Sequence, residues 1–283
     1  MVTVSEIYRK SESILEESGT ADSGFDARCI IEDVLGKSFA QLIVSGICVC
    51  ESDEGKILDM VNRRSSGYPL QYILGEWEFY GLPFRVGEGV LIPRPDTETL
   101  VETALEYCKN LKNPKIADLC AGSGCIAVAL EKNTVNSCVY AVELSDRAYS
   151  YLERNISLNK SSVKAVKGDV LCKNTADGFH ELDIIVSNPP YLTENDMKNL
   201  QKEVSYEPQS ALYGKTADGL EFYRIIPQLW KKSLKTGGMA AFEIGAGQER
   251  DVCEILENSG FSDIRTYSDL SGIKRVVSGR KNF

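Results

Sequence analysis

Residues 115–143 read KIADLCAGSGCIAVALEKNTVNSCVYAVE, and the texture of this stretch changes twice. A short apolar run, KIADLC, ends at a glycine turn. CIAVALEK then supplies helix formers, and SCVYAVEL returns to β-branched and aromatic residues. A strand, a helix and a second strand in that order form a crossover unit, which joins parallel strands. The alternation continues downstream through a helix SDRAYSYLERNISLN, strands VKAVKGD and LDIIVSN, a long loop, a helix LEFYRIIPQLWKKSL, a strand MAAFEIG and a helix QERDVCEILENSG. Two extended segments, FSDIRTYS and IKRVVSG, close the chain, and a helix TETLVETALEYCKNL precedes the first strand. Seven strands with intervening helices predict a doubly wound α/β sheet, its last two strands close enough in sequence to pair as an antiparallel hairpin.

Upstream the pattern is different. The first 67 residues read as short helices separated by glycines, with no strand pattern. Thr3 and Glu6 have the spacing of a capping box before a helix ending at Gly19. Ala27, Ile30, Ile31 and Val34 recur at helical spacing up to Gly36; Ser38 caps a third helix and Ser52 a fourth. Four short amphipathic helices cover one another as a bundle. Residues 77–92, WEFYGLPFRVGEGVLI, read as a hairpin around Gly-Leu-Pro. The expected organisation is a helical domain at 1–75, a β-hairpin linker at 76–95 and the α/β domain at 96–283. Residues 1–75 carry seven Lys and Arg against twelve Asp and Glu, so -5 of the net charge of -9 sits there. That acidity fits a face for a basic partner as well as a solvated surface.

Composition narrows the chemistry. The 283 residues are 43% hydrophobic and 26% charged, ordinary for a globular protein and ample for a buried core. No stretch approaches the roughly 18 apolar residues of a membrane span. The start, MVTVSEIYRKSES, lacks the basic end and apolar core of a signal peptide, so the expectation is cytoplasmic. Nine cysteines without a CxxC pair, in a reducing compartment, are expected as free thiols packed like small hydrophobes, with no metal site. The single histidine, His180, lies in a polar stretch, which nearly excludes Ser-His-Asp, Cys-His and multi-histidine metal chemistry. The acidic balance disfavours a duplex nucleic acid, whose binding rests on lysine and arginine.

Ligands of open α/β sheets bind beyond the carboxyl ends of the strands. The first strand leaves through Asp118 into Cys120-Ala121-Gly122-Ser123-Gly124, where the glycines allow backbone to approach a ligand and supply N–H groups at a helix start. Cys120 stands at the first glycine place of a GxGxxG pattern, so the pyrophosphate fingerprint is incomplete. The second strand ends at Glu143, nineteen residues after Gly124, where a carboxylate can accept from two ribose hydroxyls. In isolation Glu143 reads also as a surface acid or a charge at a helix N-terminus. The third strand ends Gly168-Asp169-Val170, an acid for an adenine edge and an apolar residue for its ring. Three such strand ends in consecutive units point to an adenosyl ligand.

The fourth strand runs into Asn188-Pro189-Pro190-Tyr191. Consecutive prolines remove two backbone donors and restrict φ, so the carbonyls of Asn188 and Pro189, with the Asn188 side-chain oxygen, form a cluster of acceptors for a planar NH2 group. Holding both N–H groups orients a poor nucleophile and stabilises positive charge as it attacks a methyl sulfonium. Tyr191 would stack on the planar group. The expected substrate group is an amide or an exocyclic amine.

The chain resembles the peptide chain release factor glutamine N5-methyltransferases (PrmC/HemK family) through PLQYILGEWEFYGLPFRV, LIPRPDTETLVE, DLCAGSG, Glu143, GD, SNPPY and YEPQSALYGKTADGLEFYRII. The resemblance covers nearly the whole chain. It implies a class I methyltransferase-like sheet and methylation, with S-adenosyl-L-methionine, of the glutamine amide in the GGQ loop of class 1 peptide chain release factors. It places Cys120 to Gly124, Glu143, Val170 and Asn188 at the cofactor, and Asn188 to Tyr191 at the substrate glutamine. Cys120 stands where many members have glycine and Val170 where some have an aromatic residue; Lys215 replaces what is often glycine and carries no assigned role. NPPY also marks adenine-N6 nucleic-acid methyltransferases, one alternative; a catalytically silent adenosyl-binding protein is the other.

Overall fold

The structure is a computed structural model that describes residues 2–282. The chain divides into two compact units, one of residues 1–76 with 201–206 and the other of residues 77–200 with 207–283.

The first unit is helical: α1 (Val4–Glu17), α2 (Ser23–Leu35), α3 (Phe39–Ser45), α4 (Glu51–Ser65) and α5 (Leu70–Leu74), with a two-strand pair β1 (Val2–Thr3) and β2 (Cys48–Val49) that the sequence did not announce. Thr3 and Glu6 form the expected capping box, Glu6 N–H donating to Thr3 Oγ1 at 3.2 Å and Thr3 N–H to Glu6 Oε2 at 2.8 Å. Ser38 caps α3, and Gly36 ends α2 at φ +64°. The fourth helix begins earlier than Ser52, with Cys50 at its cap and no side-chain bond there. Glu51, Asp53 and Glu54 in its first turn and Arg63 and Arg64 in its last match the helix dipole instead. Ile7, Leu15, Ile30, Ile31, Leu42, Ile57 and Val61 are at most 1% exposed, each side chain contributing about 1.5–3 kcal/mol of burial.

Buried Arg64 ties this unit together. Its Nε donates to Asp26 Oδ2 at 2.5 Å and its Nη2 to Glu203 Oε1 at 2.6 Å. Glu203 belongs to the six-residue excursion 201–206, where Tyr206 also meets Tyr68 edge-on at 5.1 Å between ring centroids. Nothing in the sequence marks this excursion.

The second unit begins with strands β3 (Glu76–Phe79) and β4 (Leu82–Arg85), joined by Tyr80 and Gly81 at φ +53° and +71°. Two left-handed residues make the tight turn whose twist matches that of a hairpin. The hairpin stops at Arg85, short of the expected Ile92, and the following loop buries Val86, Val90 and Ile92 instead. Then come α6 (Glu98–Cys108), β5 (Lys115–Leu119), α7 (Cys125–Asn133), β6 (Cys138–Glu143), α8 (Asp146–Leu158), β7 (Lys164–Lys167), α9 (Lys173–Asp177) and β8 (Leu182–Ser187). The rest is α10 (Glu194–Lys198), α11 (Gln209–Leu212), α12 (Glu221–Trp230), β9 (Leu234–Glu243), α13 (Glu249–Asn258), β10 (Phe261–Ser268) and β11 (Lys274–Lys281).

The seven strands from β5 onward form one sheet in the order β7-β6-β5-β8-β9-β11-β10. Neighbours from β7 to β9 are parallel, and β11 runs antiparallel to both β9 and β10. Central β8 is buried at all six positions, as a parallel strand covered on both faces must be. Two apolar cores lie on the two faces, one with α6 to α8 and the other with α9, α12 and α13. The chain winds outward from β5 through β6 to β7, then returns to place β8 on the other side of β5. The exits of β5 and β8 therefore flank the switch in strand order, where open sheets bind ligands.

The cysteines are all free, but only Cys108 and Cys125 are buried, whereas Cys48, Cys50 and Cys172 are exposed. Core packing thus fails for those three: they lie at a short edge pair, a helix cap and a turn, outside the apolar stripes.

Candidate active site

A cavity of about 740 Å³ opens at the switch point, within the range of small-molecule sites. Its walls include Cys120 to Ser123 from the β5 exit, Glu143 from β6, Asp169 and Val170 after β7, and Asn188 and Pro190 after β8. Gly124, Pro189 and Tyr191 stand behind this lining.

The cofactor loop differs from an anion-binding loop in how its donors are spent. Gly122 N–H donates to Glu143 Oε2 at 2.8 Å, and Gly124 N–H to the Ala121 carbonyl at 2.8 Å. Asp118 Oδ2 accepts from Ala127 N–H at 3.1 Å, capping α7. The expected donation of the glycine N–H groups to a ligand is therefore corrected. An amide already bonded to a protein acid leaves no cradle for a diphosphate. What the loop offers is space: a Cβ at Gly122 would meet nothing within 4 Å, whereas one at Gly124 would lie 2.4 Å from Leu152. Gly122 thus opens toward a ligand, and Gly124, at φ +80°, lets helix pack on helix. Burial, with Glu143 nearby, raises the Asp118 carboxyl well above the usual range.

Glu143 itself is fixed from two sides, since its Oε1 accepts from Ser145 N–H at 2.6 Å. A carboxylate has about four lone-pair sites, so two remain to accept ribose hydroxyls. Asp169 Oδ1 accepts from Leu171 N–H at 2.8 Å, turning the chain so that Val170 reaches the cavity wall. A rigid acid, an apolar floor of Val170 and Phe222 and open space over Gly122 fit an adenosyl group.

On the other side of the switch, Asn188 Nδ2 donates to Thr97 Oγ1 at 3.2 Å, which turns Oδ1 away from that partner. Pro189 and Pro190 are buried and present no backbone N–H. Tyr191 is held by its backbone: its carbonyl accepts from Gln248 Nε2 at 3.2 Å, and a Cβ at Gly219 would lie only 2.1 Å from that oxygen. Burial pushes the Tyr191 hydroxyl up to about 12, so it stays protonated. The Cys125 thiol is raised likewise to about 12 and the Cys120 thiol higher still, which keeps both from acting as thiolates. His180 is exposed in its polar loop.

Several residues of this site carried no assigned role in the sequence. Glu207, 4% exposed, accepts from Ile92 N–H at 2.9 Å and pairs with Arg94, joining the two segments IPRPDTE and YEP along the cavity. Fully buried Asn155 donates to the Ser123 carbonyl at 2.9 Å and accepts from Arg85 N–H at 2.6 Å, bracing the cofactor loop against the hairpin. Asp218 accepts from Leu220 N–H at 3.1 Å and pairs with Arg224, which holds its carboxyl far below the usual range. Glu243, at the end of β9, is 2% exposed and faces Thr97 and Asn188. Glu207 and Asp218 were signalled only by their place in segments shared with the resembled family, and Asn155 and Glu243 by nothing in the sequence. Lys215, at φ +63°, lines the cavity with its ammonium 5.2 Å from the Phe222 ring centroid.

Comparison with known proteins follows the same division of the chain. Residues 6–75 match the model of the PrmC N-terminal domain, and residues 96–212 that of the methyltransferase small domain. A release factor glutamine methyltransferase of Fusobacterium nucleatum is 39% identical over 98% of this chain and 78% of its own length. One of Clostridium acetobutylicum is 39% identical over 95% of both chains. A solved methyltransferase of Pyrococcus furiosus shares the fold, with a TM-score of 0.52 at 18% identity, over 72% of this chain and 91% of that one. Identity of that degree, sustained through both the helical unit and the sheet, places the chain in the family of release factor glutamine methyltransferases.

Proposed function

We propose that this protein methylates the side-chain amide nitrogen, N5, of the glutamine in the GGQ loop of class 1 peptide chain release factors in the cytoplasm. The observation that carries the reading is that Asn188 and Pro190 line one cavity with Glu143, on the two sides of the switch point, in a family member. When bound, S-adenosylmethionine supplies an electrophilic methyl group. Cys120 to Gly124, Glu143, Asp169 and Val170 hold its adenosyl part, Glu143 through the ribose hydroxyls. Asn188 Oδ1 and the carbonyls of Asn188 and Pro189 accept both N–H groups of the glutamine amide and so aim its nitrogen. Tyr191 packs on the amide plane. These groups act by orientation and by stabilising positive charge as it develops on nitrogen. An N-alkylated amide cation is a strong acid and loses its proton without a strong base. The chemistry therefore uses neither imidazole nor thiolate, in keeping with an exposed His180 and raised cysteine thiols.

The helical residues 1–75 serve as the recognition domain for the protein substrate, 76–95 as the linker and 96–283 as the methyltransferase domain. Acidity and exposed Phe25, Ile43 and Val44 support that role for the helices. The test is incubation of the full chain with labelled cofactor and either a class 1 release factor or duplex DNA, followed by mass spectrometry of the product. One added methyl on the loop glutamine is the expected outcome. Label on adenine instead would establish the adenine-N6 alternative, and no label on either would favour a silent adenosyl-binding protein.

A further inference from the structure

Lys215 lies on a loop that closes on itself. A Cβ at Gly214 would stand 2.4 Å from the Gly219 carbonyl oxygen, and the Thr216 hydroxyl donates to Asp218 Oδ1 at 2.7 Å. The loop is also pinned to the chain that follows Pro190. Gly214 N–H donates to the Leu192 carbonyl at 2.9 Å, Leu192 N–H donates to the Leu212 carbonyl at 2.8 Å, and Gly219 abuts the Tyr191 carbonyl. Lys215 is thereby held at φ +63°, a left-handed conformation that suits glycine and strains a residue with a Cβ. Strain of this kind persists only where the surroundings impose it, and it gathers at ligand sites.

The Lys215 side chain lines the cavity, its ammonium 5.2 Å from the centroid of the Phe222 ring. Among the described residues no acceptor holds that ammonium; Asp218, the acid of the same loop, is taken by Arg224 and Thr216. Phe222, 6% exposed, packs in one core with Val170, and the two form the floor assigned to the adenosyl group. An adenine edge carries both kinds of group: its NH2 donates, and the ring nitrogens N1, N3 and N7 accept. The wall around Val170 has spent its donors. Leu171 N–H goes to Asp169 Oδ1 at 2.8 Å, Cys172 N–H to the Asp169 carbonyl at 3.0 Å and Gly168 N–H to the Glu143 carbonyl at 3.1 Å. The Trp230 indole N–H goes to the Val170 carbonyl at 2.8 Å. Ionised Asp169 and Glu143 only accept, whereas an ammonium brings three protons and no lone pair.

We infer that Lys215 is a further cofactor-binding residue, whose ammonium donates a charge-assisted hydrogen bond to a ring nitrogen of the adenine beside Phe222. The inference rests on the placing of the adenosyl group at Val170 and Phe222 and adds one residue to it. It also accounts for the strain, since glycine would relax the loop and lack the donor.

The test is calorimetric titration of the full chain with S-adenosylhomocysteine and its 1-deaza, 3-deaza and 7-deaza adenine analogues, each of which replaces one ring nitrogen by C–H. In the wild type one of the three analogues binds about 5- to 20-fold more weakly than the parent, the scale of one hydrogen bond from a charged donor at an exposed position. Lys215→Met weakens the parent by the same factor and binds that analogue as well as the parent. Lys215→Gly treats the ligands in the same way, while its empty form unfolds at a higher temperature than the empty wild type. Unchanged affinity for the parent in Lys215→Met overturns the inference, as does a discrimination among analogues that survives in that variant. An equal loss for all four ligands in Lys215→Met places the ammonium at their carboxylate and overturns it too, and a lower unfolding temperature for empty Lys215→Gly makes the side chain a structural part of the loop. Glu143→Ala separates the two levels. If its affinity is also unchanged, the placing of the adenosyl group in this cavity falls; if its affinity drops while Lys215→Met stays silent, the inference alone falls.

Discussion

Two glutamates end strands of the same sheet, with two other strands between them, and they are held in opposite ways. Glu143 closes β6 and Glu243 closes β9, with exposures of 8% and 2%. Both oxygens of Glu143 receive backbone N–H groups, from Gly122 and Ser145. Glu243 receives no such backbone donor, and its buried Oε2 has no hydrogen-bond partner among the described residues. Backbone donors neither rotate away nor change protonation, so the cofactor half of the site is set once the chain folds. In the other half Asn188 is held by a side chain, its Nδ2 donating to Thr97 Oγ1 at 3.2 Å, and a side-chain partner can turn. The lesson is that equal burial does not mean equal rigidity; the kind of donor decides.

Removing the acceptor on the mobile side should have the largest effect. Asn188→Ala is expected to lower kcat by about 10²- to 10³-fold, the scale of one preorganised polar group, with cofactor affinity largely kept. Near-normal turnover would break the assignment of the two halves. Next is the stability cost of Glu243. Its carboxyl is raised from 4.5 to about 7, so the folded protein keeps a proton that the unfolded chain releases. Its contribution is complete below about pH 4.5 and is lost as pH rises to 7, by on the order of 3 kcal/mol. Glu243→Gln should therefore gain stability over wild type at pH 8 and much less at pH 5, measured by urea midpoints. An equal difference at both values would remove the titration from the comparison.

On the rigid side, Glu143→Ala should raise the calorimetric Kd for S-adenosylmethionine about 10- to 100-fold, since charge-assisted hydrogen bonds to the ribose are lost and two loop amides are left without their acceptor. An unchanged Kd would take Glu143 out of the ribose role. The smallest effect concerns Cys120, whose φ of +61° is a left-handed conformation that costs a side chain roughly 1–2 kcal/mol. Cys120→Gly should be more stable than Cys120→Ala by about 1 kcal/mol in thermal unfolding. Both variants lack the thiol, so the difference isolates the backbone. It also gives a physical reason for the glycine found there in the resembled family.

The legible part of the site is the part that follows from chain order. Cys120 to Gly124, Glu143, Asp169, Val170 and Asn188 all occupy strand exits, and a parallel sheet brings consecutive exits to one edge whatever its side chains. Thr97, Glu207 and Asn155 were not legible as site residues. Their partners are 91, 115 and 32 positions away in sequence, Asn188, Ile92 and Ser123 respectively. An acid such as Glu243, at the end of an apolar run, looks like any other strand-terminating carboxylate until its burial is known. The excursion 201–206 was invisible for the same reason, because what defines it is Arg64, a residue 139 positions from Glu203.

By itself, the sequence determined the alternation of strands and helices, the caps at Thr3 and Ser38, the left-handed stop at Gly36 and the acceptor-rich character of Asn188 to Tyr191. All of these depend on neighbours within a few residues: hydrophobic period, a side chain reaching its own backbone, a missing Cβ, a missing N–H. Only the tertiary structure decided that β8 lies beside β5, that the Gly122 amide belongs to Glu143 and not to a ligand, and that Glu243 is buried beside Thr97. Those outcomes depend on which distant segments share a dry environment, where an unpaired polar atom is costly and each donor finds one particular acceptor.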